Sequence, residues 1–81
     1  MWKHFRSSGQ AEIDLVLEKD NEVWAVEIKR STAPQLTRGF YSACETIGAT
    51  RKFVVYPGKE QVPMKDGVIA LNVLDFIKMV Q

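Results

Sequence analysis

The sequence has little of what marks several specialised classes of protein. Its single cysteine, Cys44, cannot form an internal disulfide. Five glycines and three prolines are too few for a collagen-like or low-complexity chain. No apolar run approaches the roughly 18 residues of a membrane span, and the N-terminal MWKHFRSSGQ lacks the apolar core of a secretory signal. We therefore expect one globular domain over residues 1–81, in a reducing cytoplasm and without a membrane partner.

The sequence also has no large excess of charge of either sign. Eleven basic and ten acidic residues leave a net charge of +1, so no overall basic character indicates nucleic acid. Any contact with a phosphate backbone would depend on local patches. Arg30, Arg38, Arg51 and Lys52 flank the middle strand, the helix and the strand that follow, and they fit either such a patch or an ordinary solvated surface. Arg30 and Arg38 are the candidate nucleic-acid contacts.

Residue periodicity predicts an α/β domain. Leu36, Phe40, Cys44 and other apolar residues recur at helical spacing within 31–48, where Pro34 suits the first turn and Gly48 the end. Asn72 is a plausible cap for a second helix. The predicted strands are 2–6, 11–18, 22–30, 51–56 and 67–71, with a polar loop over 59–66. The order β-β-β-α-β-β-α indicates a small mixed-sheet sandwich in which strands 22–30 and 51–56 are parallel.

The hairpin formed by residues 11–30 has a well-determined register. If Asp20 and Asn21 form the turn, the numbers of paired residues sum to 41. One face is then wholly apolar and must be core; it carries Ile13, Leu15, Leu17, Trp24, Val26 and Ile28. The other face carries Glu12, Asp14, Val16, Glu18, Val23, Ala25, Glu27 and Lys29. Asp14 is expected opposite Glu27, and Glu12 opposite Lys29.

Two carboxylates that face each other across a strand pair repel. One interpretation is a solvated outer face, on which the side chains splay apart. The other is a weak Mg²⁺ or Mn²⁺ site, with Asp14 and Glu27 as ligands and Lys29 beside them. Such a site could activate water against a phosphodiester. Val16, Val23 and Ala25 make this face partly apolar, which suggests that something covers it.

These residues carry a family resemblance. "ID", followed after twelve residues by "EIK", resembles the D…E-x-K signature of the restriction-endonuclease-like (PD-(D/E)xK) nucleases. The segments FRSSGQAEIDLVLE, WAVEIKRSTAPQLTRGF, KFVVYPG and GVIAL look more closely like the uncharacterised C-terminal domain of bacterial and archaeal AAA-type P-loop ATPases. The resemblance implies a nuclease-like fold, with metal ligands Asp14 and Glu27, catalytic Lys29 and a supporting Gln35 on the following helix.

The sequence departs from this family in two respects. The helix that usually precedes the first strand and supplies another acid is not predicted, which leaves Glu12 as the supporting acid. The Gly-rich phosphate loop of an ATPase is absent too, so we expect either a piece of a longer ATPase or a short remnant.

Three functional hypotheses follow. The first is a metal-dependent nuclease-like domain. The second is a non-catalytic module that binds nucleic acid or an ATPase domain. The third is a remnant that forms a homodimer, because a missing helix would uncover Val16, Val23 and Ala25. Cys44 is expected to be a core residue in all three.

Overall fold

The fold is a mixed β-sheet covered by one helix on each face. The computed structural model describes residues 3–5 and 13–81. Its six strands are β1 (Lys3–Phe5), β2 (Leu15–Lys19), β3 (Glu22–Ile28), β4 (Arg51–Val55), β5 (Val62–Pro63) and β6 (Val68–Leu71), and its helices are α1 (Arg38–Ile47) and α2 (Val73–Val80). The strand order across the sheet is β1-β2-β3-β4-β6-β5. The predicted α/β class and mixed sheet are confirmed.

The register of the β2–β3 hairpin is the predicted one. Leu15 pairs with Val26 and Lys19 with Glu22, antiparallel, so each pair sums to 41. The turn residue Asp20 has a φ of 55°, the left-handed conformation that Asp tolerates better than most residues. Strand β3 then pairs in parallel with β4, as predicted, and β4 pairs in parallel with β6.

The two ends of the predicted core face are corrected by the structure. Ile13 packs with Val16 and Ala25 on the opposite face, because the chain bends at Asp14 and β2 begins only at Leu15. The strict alternation of side chains applies only within the strand. Ile28, at the other end of the predicted face, is 57% exposed, because it is the last residue of β3 and lies at the carboxyl end of this central strand.

Helix α1 begins later than predicted. Thr37 is its N-cap, and the Thr37 hydroxyl accepts a hydrogen bond from the Phe40 backbone N–H at 3.1 Å. Pro34 therefore lies in the preceding loop and not in a first helical turn, and so does Gln35. The helix ends as predicted at Gly48, whose φ of 68° is a left-handed conformation that glycine adopts without strain.

The C-terminal part follows the prediction with one addition. The Asn72 side chain caps α2 by accepting a hydrogen bond from the Asp75 N–H at 2.9 Å. The segment expected to be a polar loop contains the two-residue strand β5 and a short 3₁₀ turn over Lys65–Gly67. Two residues are too few to produce an alternating pattern, which explains why β5 was not predicted.

Each face of the sheet has its own apolar core. Phe40 and Cys44 of α1 pack on Ala25 and Val54, while Phe76 of α2 packs on residues of the other face that include Trp24, Val26 and Phe53. Helix α1 thus covers the face that carries the acids. The expectation that a missing helix leaves Val16, Val23 and Ala25 uncovered is wrong, since Val16 is 9% and Ala25 0% exposed and Val23 is half-buried against the same core.

Over the described parts of the chain, neither helix is long and apolar enough to cross a bilayer.

Candidate active site

Glu27 is the most enclosed member of the candidate site. Its position near the end of β3, on the face covered by α1, leaves its side chain 15% exposed. Its Oε2 atom lies 3.3 Å from Nζ of Lys29, two residues along on the same face. Its Oε1 atom is buried and has no hydrogen-bond partner among the residues that the structure describes. An acceptor buried without a partner is costly, and it is the kind of atom to which a cation or a proton binds.

Asp14 lies beside this pair at the bend before β2. The residue is exposed, and its Oδ2 atom accepts a hydrogen bond from the Ile28 backbone N–H at 2.9 Å. The pairing of β2 with β3 ends at Leu15 and Val26, so the Asp14 side chain, and not the β2 backbone, accepts the hydrogen bond of the last N–H of β3. The sequence pattern could not reveal this bond, because it depends on the bend and not on residue alternation.

The electrostatics of the cluster centre on Glu27. Burial raises the pKa of the Glu27 carboxyl, and the neighbouring Asp14 carboxylate raises it further. The Lys29 ammonium acts in the opposite direction and lowers the same pKa, but the net direction is upward. The three side chains of the predicted motif are therefore close enough to interact. Burial and the Asp14 carboxylate both disfavour the ionised form of Glu27.

The other predicted site residues lie in different places. Glu12 is outside the described residues. Gln35 is exposed in the loop before α1 and lines a cavity of about 300 Å³ with Pro34 and Tyr56, so its supporting role stays a prediction. Arg30 and Arg38 are both exposed, at the end of β3 and the start of α1.

The basic residues Arg51 and Lys52, for which the sequence left a phosphate-facing patch and a solvated surface both open, lie away from Arg30. Arg51 pairs with Trp24 near the start of β3, at the opposite end of that strand from Lys29. The guanidinium group of Arg51 stacks over the Trp24 and Phe53 rings, with its carbon 5.1 and 5.0 Å from their centroids. Lys52 starts β4 next to it. Because β3 and β4 are parallel, the start of β4 lies beside the start of β3. Arg51 and Lys52 are therefore far from Lys29, which follows the end of β3.

Cys44 has the predicted role in the core. The thiol is buried under α1, and burial raises its pKa to about 11, with a further increase from Glu27 and a decrease from Lys52. A thiol with such a pKa is almost wholly protonated at neutral pH and is a poor nucleophile. Its significance for the site is spatial, since it shows that α1 packs close to Glu27.

Only two carboxylates, those of Asp14 and Glu27, come together at the candidate site in the part of the chain that the structure describes. Among residues 13–81 and the β1 backbone, no cluster of three or more His, Cys, Asp or Glu could hold a metal. Asp14 and Glu27 supply two carboxylates, and the unpartnered Glu27 Oε1 is a suitable oxygen donor. Mg²⁺ commonly binds through one or two carboxylates and keeps several waters. The residues present therefore fit such an ion, with low affinity.

Sequence comparison places the domain among known proteins. The profile of DUF4143, described as a domain of unknown function, matches residues 2–76. The chain belongs to the DUF4143 family. Within that family's range it is 34% identical over 68 residues to the uncharacterized protein Rv2008c of Mycobacterium tuberculosis and, equally, to the uncharacterized protein Mb2031c of Mycobacterium bovis. The match covers 84% of this chain but 15% of each relative, so the chain corresponds to a small part of the length of either mycobacterial protein. No solved structure matches the chain significantly.

Proposed function

We propose that this DUF4143 domain is a metal-dependent nuclease-like domain whose centre consists of Asp14, Glu27 and Lys29. The observation that carries the proposal is the buried, unpartnered Oε1 atom of Glu27, in a carboxylate that is already next to a second carboxylate and 3.3 Å from an ammonium group. A solvated outer face would let all these groups reach water. The burial of Glu27 under α1 favours the second of the two interpretations of the sequence.

Each residue has a distinct role in this proposal. The carboxylates of Asp14 and Glu27 would hold Mg²⁺ or Mn²⁺, which supplies an activated water and neutralises charge on a phosphate. Lys29 would donate hydrogen bonds to the phosphodiester or orient the attacking water, since its ammonium group is next to Glu27 and 29% exposed. Arg30 and Arg38 are exposed and would contact the nucleic-acid backbone. Gln35 and Glu12 are supporting candidates.

A non-catalytic module is the second candidate. In the absence of metal, Lys29 is paired with Glu27, and Asp14 is bonded to the Ile28 N–H, so the cluster also has a structural use. Such a module would bind nucleic acid or, following the resemblance to C-terminal domains of AAA-type proteins, an ATPase domain. The 15% coverage of the relatives is consistent with a partner domain in a longer chain, and a homodimer is a further proposal.

Cleavage of fluorescent DNA and RNA substrates tests the nuclease proposal. The panel contains single-stranded, duplex and branched forms, each incubated with Mg²⁺, Mn²⁺ or EDTA. We expect metal-dependent cleavage that is lost in Asp14→Asn and in Lys29→Met. Lys78→Met removes an exposed lysine from α2 and should cleave like the wild type. Binding without cleavage, unchanged in Asp14→Asn, would favour the non-catalytic module.

A further inference from the structure

An apolar groove lies next to the candidate site, at the carboxyl ends of the central strands β3 and β4. It has a volume of about 550 Å³ and is located where β3 and β4 end and α2 begins. Its apolar walls come from Ile28, Val55, Pro57, Val73 and Leu74. This size is in the range of binding pockets, roughly 300 to 1,000 Å³. The first residues of α2 form one side of the groove, but the apolar core beneath α2 does not extend to Ile28.

The groove accounts for much of the exposed apolar surface of the domain. Ile28 is 57%, Val73 53% and Leu74 68% exposed, and Ile77, one turn after Val73 on α2, is 42% exposed. Isolated exposed aliphatic residues are ordinary, but a contiguous group of them usually marks an interaction surface. The patch continues from the groove along α2, which gives it the elongated form that a peptide segment requires.

Charge around the groove has one sign. Lys29, Arg30 and Lys59 line it, and its lining includes no Asp or Glu among the described residues. A partner that buries its aliphatic side chains in the groove would therefore gain from acidic residues at its flanks. Aliphatic walls also discriminate against nucleobases, which stack on aromatic faces. The aromatic residue in the lining, Tyr56, is only 6% exposed.

The groove walls are fixed by hydrogen bonds. The Asn72 side-chain amide donates to the Lys59 carbonyl at 3.3 Å, which ties the loop after β4 to the start of α2. The hydroxyl of the buried Tyr56 donates a hydrogen bond to the Glu60 carbonyl at 2.6 Å, which gives the same loop a second attachment. A preformed groove loses little conformational entropy when a partner binds.

We propose that this groove docks an acidic amphipathic segment of a partner polypeptide. Aliphatic side chains of the segment would contact Ile28, Val73 and Leu74, and its Asp or Glu side chains would pair with Arg30 and Lys59. Lys29 lines the groove and also pairs with Glu27, but docking on Ile28, Val73 and Leu74 requires neither metal binding nor cleavage, so peptide binding can be tested separately from the nuclease proposal.

Fluorescence anisotropy with synthetic peptides tests the proposal. The probe is a labelled amphipathic peptide with leucines at helical spacing and glutamates at the flanks; a second peptide has the same leucines and lysine flanks. The acidic peptide should bind at least about tenfold more tightly to the wild type, and added salt should reduce the difference.

Two pairs of variants make the site assignment specific. Leu74→Gln should weaken the acidic peptide about tenfold, whereas Ile47→Gln, at an exposed apolar residue of α1, should leave its affinity unchanged. Lys59→Glu should reduce the preference for the acidic peptide, because it lowers the net charge of the lining from +3 to +1, and Arg38→Glu should not. Leu74 is 68% exposed, so its replacement should not unfold the domain, which circular dichroism verifies.

Other occupants give distinct results, and each would overturn the proposal. Equal affinity for the two peptides, or unchanged affinity in Leu74→Gln, would exclude docking of an acidic segment here. A single-stranded oligonucleotide that binds and is lost in Leu74→Gln would assign the groove to nucleic acid. Self-association that disappears in Leu74→Gln, without peptide binding, would assign the groove to a second copy of the chain.

Discussion

Replacing Asp14 by Asn should stabilise the metal-free protein. The Asp14 carboxylate has two opposing effects: it accepts a hydrogen bond from the Ile28 N–H at 2.9 Å, and it raises the pKa of Glu27 by repulsion. Asparagine keeps a carbonyl oxygen that can accept the same hydrogen bond. The substitution therefore removes the repulsion and retains most of the bond, while the Glu27–Lys29 ion pair is left in place.

The magnitude is an order-of-magnitude Coulomb term for two carboxylates that lie close enough for Asp14 to raise the pKa of Glu27. Two charges about 5 Å apart repel by about 3 kcal/mol at an effective dielectric constant near 20, and by about 0.8 kcal/mol in water. Asp14 is exposed, so the lower part of this range applies. A neutral acceptor also forms a weaker hydrogen bond than a carboxylate does. We expect a net gain of about 1 kcal/mol in the free energy of unfolding, or about 4–8 °C in Tm for a domain of this size.

Thermal and urea denaturation in EDTA buffer measures this gain. Asp14→Ala is the matched comparison, because it removes the charge and the acceptor together; it should be about 1 kcal/mol less stable than Asp14→Asn. Asp20→Asn makes the same charge change at the exposed turn of the hairpin and should have little effect. High salt should reduce the gain in Asp14→Asn. A loss of stability in Asp14→Asn, or a gain that salt does not change, would refute the repulsion between Asp14 and Glu27.

Four further predictions follow from the same structure. Because the folded state raises the pKa of Glu27 above 4.5, wild-type stability should fall as pH rises through that raised pKa; Glu27→Gln should remove this fall in pH-dependent melting curves, and an equal pH dependence would contradict it. A Cβ at Gly58 would overlap the buried Tyr56 ring, so Gly58→Ala should cost about 1–3 kcal/mol in urea denaturation, and an unchanged midpoint would contradict this packing. Thr37→Ala should remove the α1 cap and cost about 1 kcal/mol in the same assay, whereas Thr37→Ser should cost much less. Since β1 is an edge strand, we expect a homodimer in sedimentation velocity across a concentration series, and a monomer at every concentration would exclude it.

Much of the fold could be predicted because several local signals agree. The hairpin register is determined by its apolar positions, since a slip of one residue would turn Trp24 and Val26 away from their core. Gly48 and Asn72 mark helix boundaries by chemistry that acts locally. The parallel β3–β4 pair follows from a helix between two apolar strands.

The errors arose where tertiary structure overrides a local pattern. Pro34 is compatible with a helix start, but the Thr37 hydroxyl caps the helix three residues later. Ile13 fits the alternation, yet the bend at Asp14 sends it to the other core. Ile28 fits it too, but it is the last residue of β3 and stays 57% exposed beside the first residues of α2. A sequence pattern shows which side of a strand a residue occupies and not how far the covering helix extends.

The candidate site was predictable in composition but not in environment. The residue spacing predicted that Asp14, Glu27 and Lys29 lie close together, and in the structure the three side chains interact. The burial of Glu27 beneath α1 could not be deduced, because it depends on where the helix carrying Cys44 crosses the sheet. The groove beside Leu74 was missed for a similar reason, since its walls come from three separate segments.

Binding of Mn²⁺ and Mg²⁺ tests the central claim most directly. Titration calorimetry with MgCl₂, and electron paramagnetic resonance of added Mn²⁺, should show one weak saturable site in the wild type. Asp14→Asn and Glu27→Gln should each weaken it at least about tenfold, because divalent affinity rises with the number of charged ligands. Asp20→Asn should bind like the wild type. No saturable binding, or equal binding in Asp14→Asn, would contradict a metal centre formed by Asp14 and Glu27.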